Sequence, residues 1–274
     1  MKFEDNHIDL TQPNLEERLT HMLNIEGFAT FDHILSSEQP VPKQLRDLVD
    51  RFGTIIKHPD SDEYGVTKIA PAEDSDCTDR NRGLTSKELY LHTDGSAVIE
   101  PPPFFLFYCS KPAPEGGLSK LLDGKELYEI LNWISPDLLK SLLEPNSAIF
   151  GNPKDDHVIG SVFSQDEKGI VSVRFRYDTL GYYSAPIASK LEDLLSIMEG
   201  LKVSFRLDSG QGYIINNRRC LHGRTSFNGE REMYRVLFNF SPYSRMGQET
   251  IPGFEFRGVP QLKLPNAETL IMAR

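Results

Sequence analysis

The stretch Leu89-Tyr90-Leu91-His92-Thr93-Asp94-Gly95 decides how the rest of the chain is read. Its aliphatic and aromatic residues predict a strand, and side chains two apart on a strand leave the same face. His92 and Asp94 therefore stand side by side and can share one metal ion, while Gly95 lets the chain turn away at once. A His-x-Asp pair is weak evidence alone. Seven histidines and 40 acidic residues in 274 positions give about one such match by chance, and three occur. The other two, His7/Asp9 and His58/Asp60, lie beside a terminus and at the edge of a polar loop. Nothing there fixes ligand directions, so both read as surface coincidences.

Further along, Gly212-Tyr213-Ile214-Ile215-Asn216-Asn217-Arg218-Arg219-Cys220-Leu221-His222-Gly223-Arg224 runs from an apolar strand into a polar turn and presents one histidine. A lone turn histidine is more often a hydrogen-bonded loop residue. Together with His92 and Asp94, however, His222 completes the three-ligand face that leaves iron positions open. Arg231 and Arg235 follow, four apart on a predicted strand and so on one side of it. Guanidinium forks are receptors for planar carboxylates, and Ser119, after Gly116-Gly117, offers a hydroxyl to the same group. The plainer alternative pairs both arginines with Glu230 and Glu232 on a solvated surface. Arg224, directly after His222-Gly223, reads as a brace for the turn.

The surrounding organisation fits one α+β, mainly β domain over 1–274. The first part, 1–56, reads as helical: one helix opens at Asn14 with Leu15, Leu19, Met22 and Leu23 on one face and stops at Gly27, and a second runs from Pro42 to Phe52. Residues 57–82 form an acidic polar loop, either a solvated surface or a lid. A core with helical insertions spans 83–245, and 246–274 is a tail. Its expected strands are Leu89–Thr93, Phe104–Cys109, Ile170–Tyr177, Val203–Leu207, Gly212–Asn216 and Met233–Phe240. The expected helices are Gly124–Trp133, Pro136–Leu143 and Ala185–Glu199, with Trp133 and Phe104 to Phe107 in the core.

Composition narrows the function classes. Three cysteines, Cys77, Cys109 and Cys220, cannot all pair and form no CxxC motif, which points to a reducing, cytoplasmic compartment. No apolar run approaches the roughly 20 residues of a membrane span, and no basic leader precedes an apolar one. A net charge of −10 without a Lys/Arg stripe argues against nucleic acid. The expected partner is a small molecule, and a homo-oligomer is compatible with this reading.

Taken in order, His92-Thr93-Asp94-Gly95, Glu115-Gly116-Gly117-Leu118-Ser119, Asp123-Gly124 and Asn217 through Arg224 with Arg231 and Arg235 resemble the taurine dioxygenase/clavaminate synthase-like (TauD/TfdA) family of oxygenases. The resemblance implies a double-stranded β-helix, or jelly roll. It implies Fe(II) held by His92, Asp94 and His222, and 2-oxoglutarate held by Arg231 with Ser119, where relatives commonly carry Thr. Arg235 would stand beside it, near the keto-acid end or the substrate. Dioxygen takes the remaining iron position, and 2-oxoglutarate is decarboxylated to succinate as a substrate C–H is hydroxylated or desaturated. The carboxylate of Asp94 argues against halogenation, since halogenases of this chemistry carry a small residue there.

Substrate residues are read from Val173-Arg174-Phe175-Arg176-Tyr177-Asp178, which as a strand places Arg174, Arg176 and Asp178 on one face. That face is either ion-paired and outward or inward, where Arg176 and Asp178 would grip a zwitterion such as an amino acid. Arg82 and Leu84, just before the first ligand strand, form another expected wall. The rival to an oxygenase is a non-catalytic jelly-roll module that binds metal or a dicarboxylate, as a sensor would.

Overall fold

The computed structural model describes residues 3–33, 36, 38–71, 83–154 and 156–256. Its central strand, Phe104–Lys111, begins Phe-Phe-Leu-Phe-Tyr-Cys, a continuous apolar run suited to burial on both faces. The larger sheet runs His7–Ile8, Phe28–Asp32, Gln211–Asn216, Phe104–Lys111, Glu232–Phe240 and Gly53–Ile55, with Val66–Ile69 also paired to Glu232–Phe240. Only the first pair is parallel. A smaller antiparallel sheet runs Val203–Phe205, Ser119–Asp123, Cys220–Arg224 and Leu89–His92.

Strand alternation sorts the side chains into layers. Phe105, Cys109, Tyr213, Ile215, Met233 and Leu237 leave the larger sheet on one side and meet Leu121 and Cys220 of the smaller. Leu106, Ile214, Val236 and Phe238 leave it on the other side, under the helices Leu15–Ile25 and Val41–Val49. Leu91, Leu122 and Leu221 face outward from the smaller sheet and are covered by the helices Gly124–Ile134, Pro136–Leu143 and Leu191–Leu201. The result is two sheets with helices on both outer faces. Polar and charged residues facing the space between the sheets are thus held against an apolar wall.

One buried ion pair joins the outer layers. Arg219 is 2% exposed and donates through Nε and a terminal nitrogen to the two oxygens of Asp123 at 2.8 and 2.6 Å. The same guanidinium bonds the carbonyls of Asn24 and Ile25, each at 2.7 Å, satisfying the C-terminal end of the first helix. Asp123 in turn caps the helix at Gly124 by accepting from the Lys125 backbone N–H.

Several sequence expectations are corrected. The N-terminal part is not wholly helical: Phe28–Asp32 and Gly53–Ile55 are strands, because the larger sheet supplies partners that no local pattern advertises. Its second helix ends at Val49, before Phe52. The polar loop contains a strand, Val66–Ile69, and its part from 72 to 82 lies outside the described residues. The strand expected over Ile170–Tyr177 stops at Val173, since Arg174 turns to the carbonyls of Ser96 and Ile99, and Phe175 bonds Thr93. The Ala185–Glu199 helix is two, Ala185–Ala188 and Leu191–Leu201, and the second passes through Gly200. Trp133 is 59% exposed, on the side of its helix opposite Leu127 and Leu131. In the tail, Arg245–Glu249 is helical and Phe254–Glu255 pairs with Ile170–Val173.

Removing Arg219 leaves Asp123 buried without its partner and reopens the end of the first helix. Arg219→Ala should lower unfolding stability by about 3–5 kcal/mol in urea titration. Burial raises the thiol of Cys109 to about 11 and that of Cys220 well above its ordinary value. Neither should be alkylated by iodoacetamide at pH 8 until the protein is unfolded, as read by peptide mapping.

Candidate active site

The smaller sheet assembles the ligand set through register. In the antiparallel pair of Leu89–His92 with Cys220–Arg224, His222 lies directly opposite His92, and their ring centroids are 4.3 Å apart. The ladder is irregular between His222 and Arg224. Asp94 follows two residues after His92, and Oδ1 of its carboxylate is 3.8 Å from Nε2 of each histidine. Ligand atoms of all three residues lie within 4.8 Å of one another. Nδ1 of His92 donates to the Tyr90 carbonyl at 2.9 Å, which leaves Nε2 as the lone-pair nitrogen facing Asp94.

The protonation states suit metal binding. Burial, reinforced by His92, holds His222 down at about 3, and burial also lowers His92. Burial alone would push Asp94 up. The positive charge of Arg235, with smaller contributions from His222 and His92, outweighs it and holds the carboxyl at about 2. Two neutral imidazoles and one carboxylate are the donor set a divalent iron takes, with positions left open for other ligands.

Beside these ligands lies an unusual concentration of positive charge. Arg231 is buried, and its guanidinium makes no hydrogen bond or ion pair among the described residues; it sits over the rings of Phe107 and Phe227 at 5.9 and 5.5 Å. Arg224 stacks on the same Phe227 at 4.6 Å. Its NH2 group bonds the carbonyls of Thr85 and Lys87, both at 2.8 Å, while its NH1 group is buried without a partner. Burial and the neighbouring Arg231 lower Arg224 to about 9. Two arginines withdrawn from water with no carboxylate of their own are costly unless an anion joins them. Ser119, directly opposite Arg224 in the ladder, lines the same end of the cavity.

The cavity has a volume of about 450 Å³ and reaches the three ligands, Arg224, Arg231 and Arg235. Arg231 precedes the Glu232–Phe240 strand and Arg235 lies within it, yet both line the cavity. Arg235 pairs with Asp94, its NH1 group lying 3.0 Å from both carboxylate oxygens, and it lines the cavity beside the three candidate ligands. Glu230 and Glu232 pair elsewhere, with Lys111 and Lys68. Arg224 does not brace its own turn: it lies in the Cys220–Arg224 strand, holds the Thr85 and Lys87 carbonyls ahead of the Leu89–His92 strand, and lines the cavity.

Among the expected substrate residues, Leu84 and Arg176 line the cavity, and Arg82 lies outside the described residues. Asp178 does not line it: its carboxylate receives Nε of Arg176 at 2.6 Å and the Leu180 N–H at 2.9 Å, so it orients Arg176. The chain there is not a strand, so alternation gave the wrong geometry for this pair. His58 is a cavity residue that sequence reasoning set aside. Its Nδ1 accepts the Asp60 backbone N–H at 3.2 Å, and its own N–H bonds Ser61. The turn chemistry of His58-Pro59-Asp60-Ser61 was the signal that could have found it.

The model of the taurine catabolism dioxygenase TauD, TfdA family matches residues 2–237. A gamma-butyrobetaine dioxygenase of Homo sapiens is 27% identical over 173 residues, taking in 57% of this chain and 44% of the relative, so the chain spans less than half the length of that protein. A uridine-5'-phosphate dioxygenase of Amycolatopsis is 28% identical over 202 residues, 65% of this chain and 73% of the relative. The solved asparagine oxygenase in complex with Fe(II), 3-hydroxyasparagine and succinate shares the fold, with a TM-score of 0.68 at 15% identity over 82% of this chain and 79% of that one. The motif order, the facing His92, Asp94 and His222, and a family match over nearly the whole length lead to one assignment: the chain belongs to the TauD/TfdA family.

Proposed function

We propose that the protein is an Fe(II)- and 2-oxoglutarate-dependent oxygenase that hydroxylates or desaturates a small molecule. The observation that carries this reading is the pair of buried arginines without an acidic partner, Arg224 and Arg231, beside three converging metal ligands. A pure metal-binding module has no use for a desolvated anion receptor at that place. The two facing sheets, which share one core, support a double-stranded β-helix built as a single oxygenase domain.

In this reading Nε2 of His92, the Asp94 carboxylate and Nε2 of His222 hold the iron. Iron bound there would let dioxygen oxidise both partners, one oxygen atom entering succinate as the keto acid loses carbon dioxide and the other serving to oxidise a substrate C–H. The protein's own residues do the positioning. Arg231 receives the distal carboxylate, Arg224 adds positive charge behind it, and Ser119 donates its hydroxyl. The Phe107 and Phe227 faces exclude water from this end, strengthening the ion pair. Arg235 neutralises Asp94 and holds its carboxylate in place. Leu84 and Arg176 form part of the substrate wall, and a cytoplasmic small molecule, such as an amino acid, is the expected substrate.

Anaerobic titration of the metal-free protein with Fe(II) and 2-oxoglutarate should develop the weak visible charge-transfer band of a chelated keto acid at one iron per chain. His92→Ala should abolish the band. Arg231→Ala should keep the iron but raise the 2-oxoglutarate needed by about 10–100-fold, the loss expected for charge-assisted hydrogen bonds. Metal bound in the wild type without any band would favour the non-catalytic module.

A further inference from the structure

Asp94 sits in an awkward place for a metal ligand. The strand that carries His92 ends at His92 itself, so the ladder no longer supports the backbone two residues later, and Gly95 at φ +67° turns the chain away. A Cβ at Gly95 would lie 2.7 Å from Pro102, so the turn cannot relax around a larger residue. What holds the Asp94 backbone is one side chain. Oδ1 of Asn217 accepts the Asp94 N–H at 2.8 Å, and Nδ2 of Asn217 donates to the Asp94 carbonyl at 2.9 Å. The same Nδ2 donates to the Pro102 carbonyl at 2.7 Å, and the Asn217 backbone N–H to Pro103 at 2.9 Å. Asn217 is 1% exposed.

The amide of Asn217 therefore replaces the missing strand, pairing with both backbone groups of Asp94 as a neighbouring peptide would. It stands in the turn between the Gln211–Asn216 and Cys220–Arg224 strands, five residues before His222. A displacement of either ligand segment relative to the other must stretch these bonds. We propose that Asn217 is a positioning residue for the metal centre, setting the carboxylate ligand Asp94 against the histidine ligand His222. This rests on the reading of His92, Asp94 and His222 as metal ligands.

The chain supplies its own control. Asn216, the preceding residue, is equally buried and makes the same pattern of bonds to a different segment. Its Nδ2 donates to the carbonyls of Ile251 and Gly253 at 2.7 and 3.2 Å, and its Oδ1 accepts the Gly253 N–H at 3.1 Å. Asn216 ties down the C-terminal segment and touches no ligand. The two asparagines thus separate the cost of losing a buried amide from the cost of losing the position of Asp94.

The test is Co(II) binding to Asn217→Ala and Asn216→Ala, followed by the visible ligand-field spectrum, with thermal unfolding of both in chelator. Both variants should unfold at lower temperature than the wild type. Only Asn217→Ala should weaken Co(II) binding, by about 10–100-fold, and alter the spectrum, as expected when a ligand's orienting partner is lost. Asn217→Asp keeps the acceptor for the Asp94 N–H but loses both donated bonds. It should weaken Co(II) as well, and with Asn216→Asp as its control it decides the question if the alanine variant does not fold. Wild-type affinity and spectrum in the folded Asn217 variants, or equal weakening in both pairs, would overturn the proposal. A wild-type protein that binds no Co(II) would instead overturn the metal-centre reading, and this inference with it.

Discussion

The antiparallel register that sets His222 opposite His92 is the constraint on which the rest of the site depends. A strand paired one residue out of step would turn the whole of its ligand face into the helical layer. The register is secured from the other side of the Cys220–Arg224 strand, because Ser119–Asp123 pairs with it over its full length, from Cys220 with Asp123 to Arg224 with Ser119. Alternation then makes one decision for many residues. Cys220, His222 and Arg224 face the space between the sheets, where Ser119 and Leu121 also point, while Leu221 and Leu122 seal the helical side. Ligand placement and core packing are the same event.

Electrostatics adds a second constraint, because the inter-sheet space is apolar and its charges must be matched. The protein solves this in two ways. Arg219 and Arg235 are given carboxylates, Asp123 and Asp94, within hydrogen-bond distance. Arg224 and Arg231 are left with aromatic faces and backbone carbonyls alone. The first pair ties helices and a ligand into place; the second stores an attraction for an anion that arrives from outside. This uneven distribution of charge is what supports the proposed reading, an acidic cosubstrate at one end and a divalent cation beside it.

The ligand triad was legible because it obeys local rules. His92 ends a short strand and Asp94 follows two residues later, so a spacing of two kept them together even though the strand stops at His92. The strands expected over Phe104–Cys109 and Met233–Phe240 were legible from their aromatic and β-branched residues, and extend to Phe104–Lys111 and Glu232–Phe240. The readings that failed share a different cause. Phe28–Asp32 and Val66–Ile69 are short and become strands through neighbours distant in the chain. Arg174, Arg176 and Asp178 were assigned a common face by extending a strand that ends at Val173, where hydrogen bonds to the Ser96 and Thr93 segments take over. His58, set aside because nothing in its polar loop fixes ligand directions, does not join the three converging side chains, but a turn hydrogen bond holds its ring and it lines the cavity.

By itself, then, the sequence marked His92 and Asp94 as close neighbours and, through the order of its motifs, His222 as their distant companion and Arg231 and Arg235 as the nearby cations, since these are matters of spacing and side-chain chemistry. The tertiary structure decided that Arg235 pairs with Asp94, that Arg224 and Arg231 share the Phe227 ring, that Asp178 pairs with Arg176 outside any strand, and that the Asn217 amide takes the place of a strand beside Asp94. The bonds of Arg235 and Asn217 to Asp94 depend on how far a side chain reaches and on which distant segment it meets there. Periodicity gives the direction of a side chain but not its partner, and partners separated by more than a hundred residues meet only when the sheets close on one another.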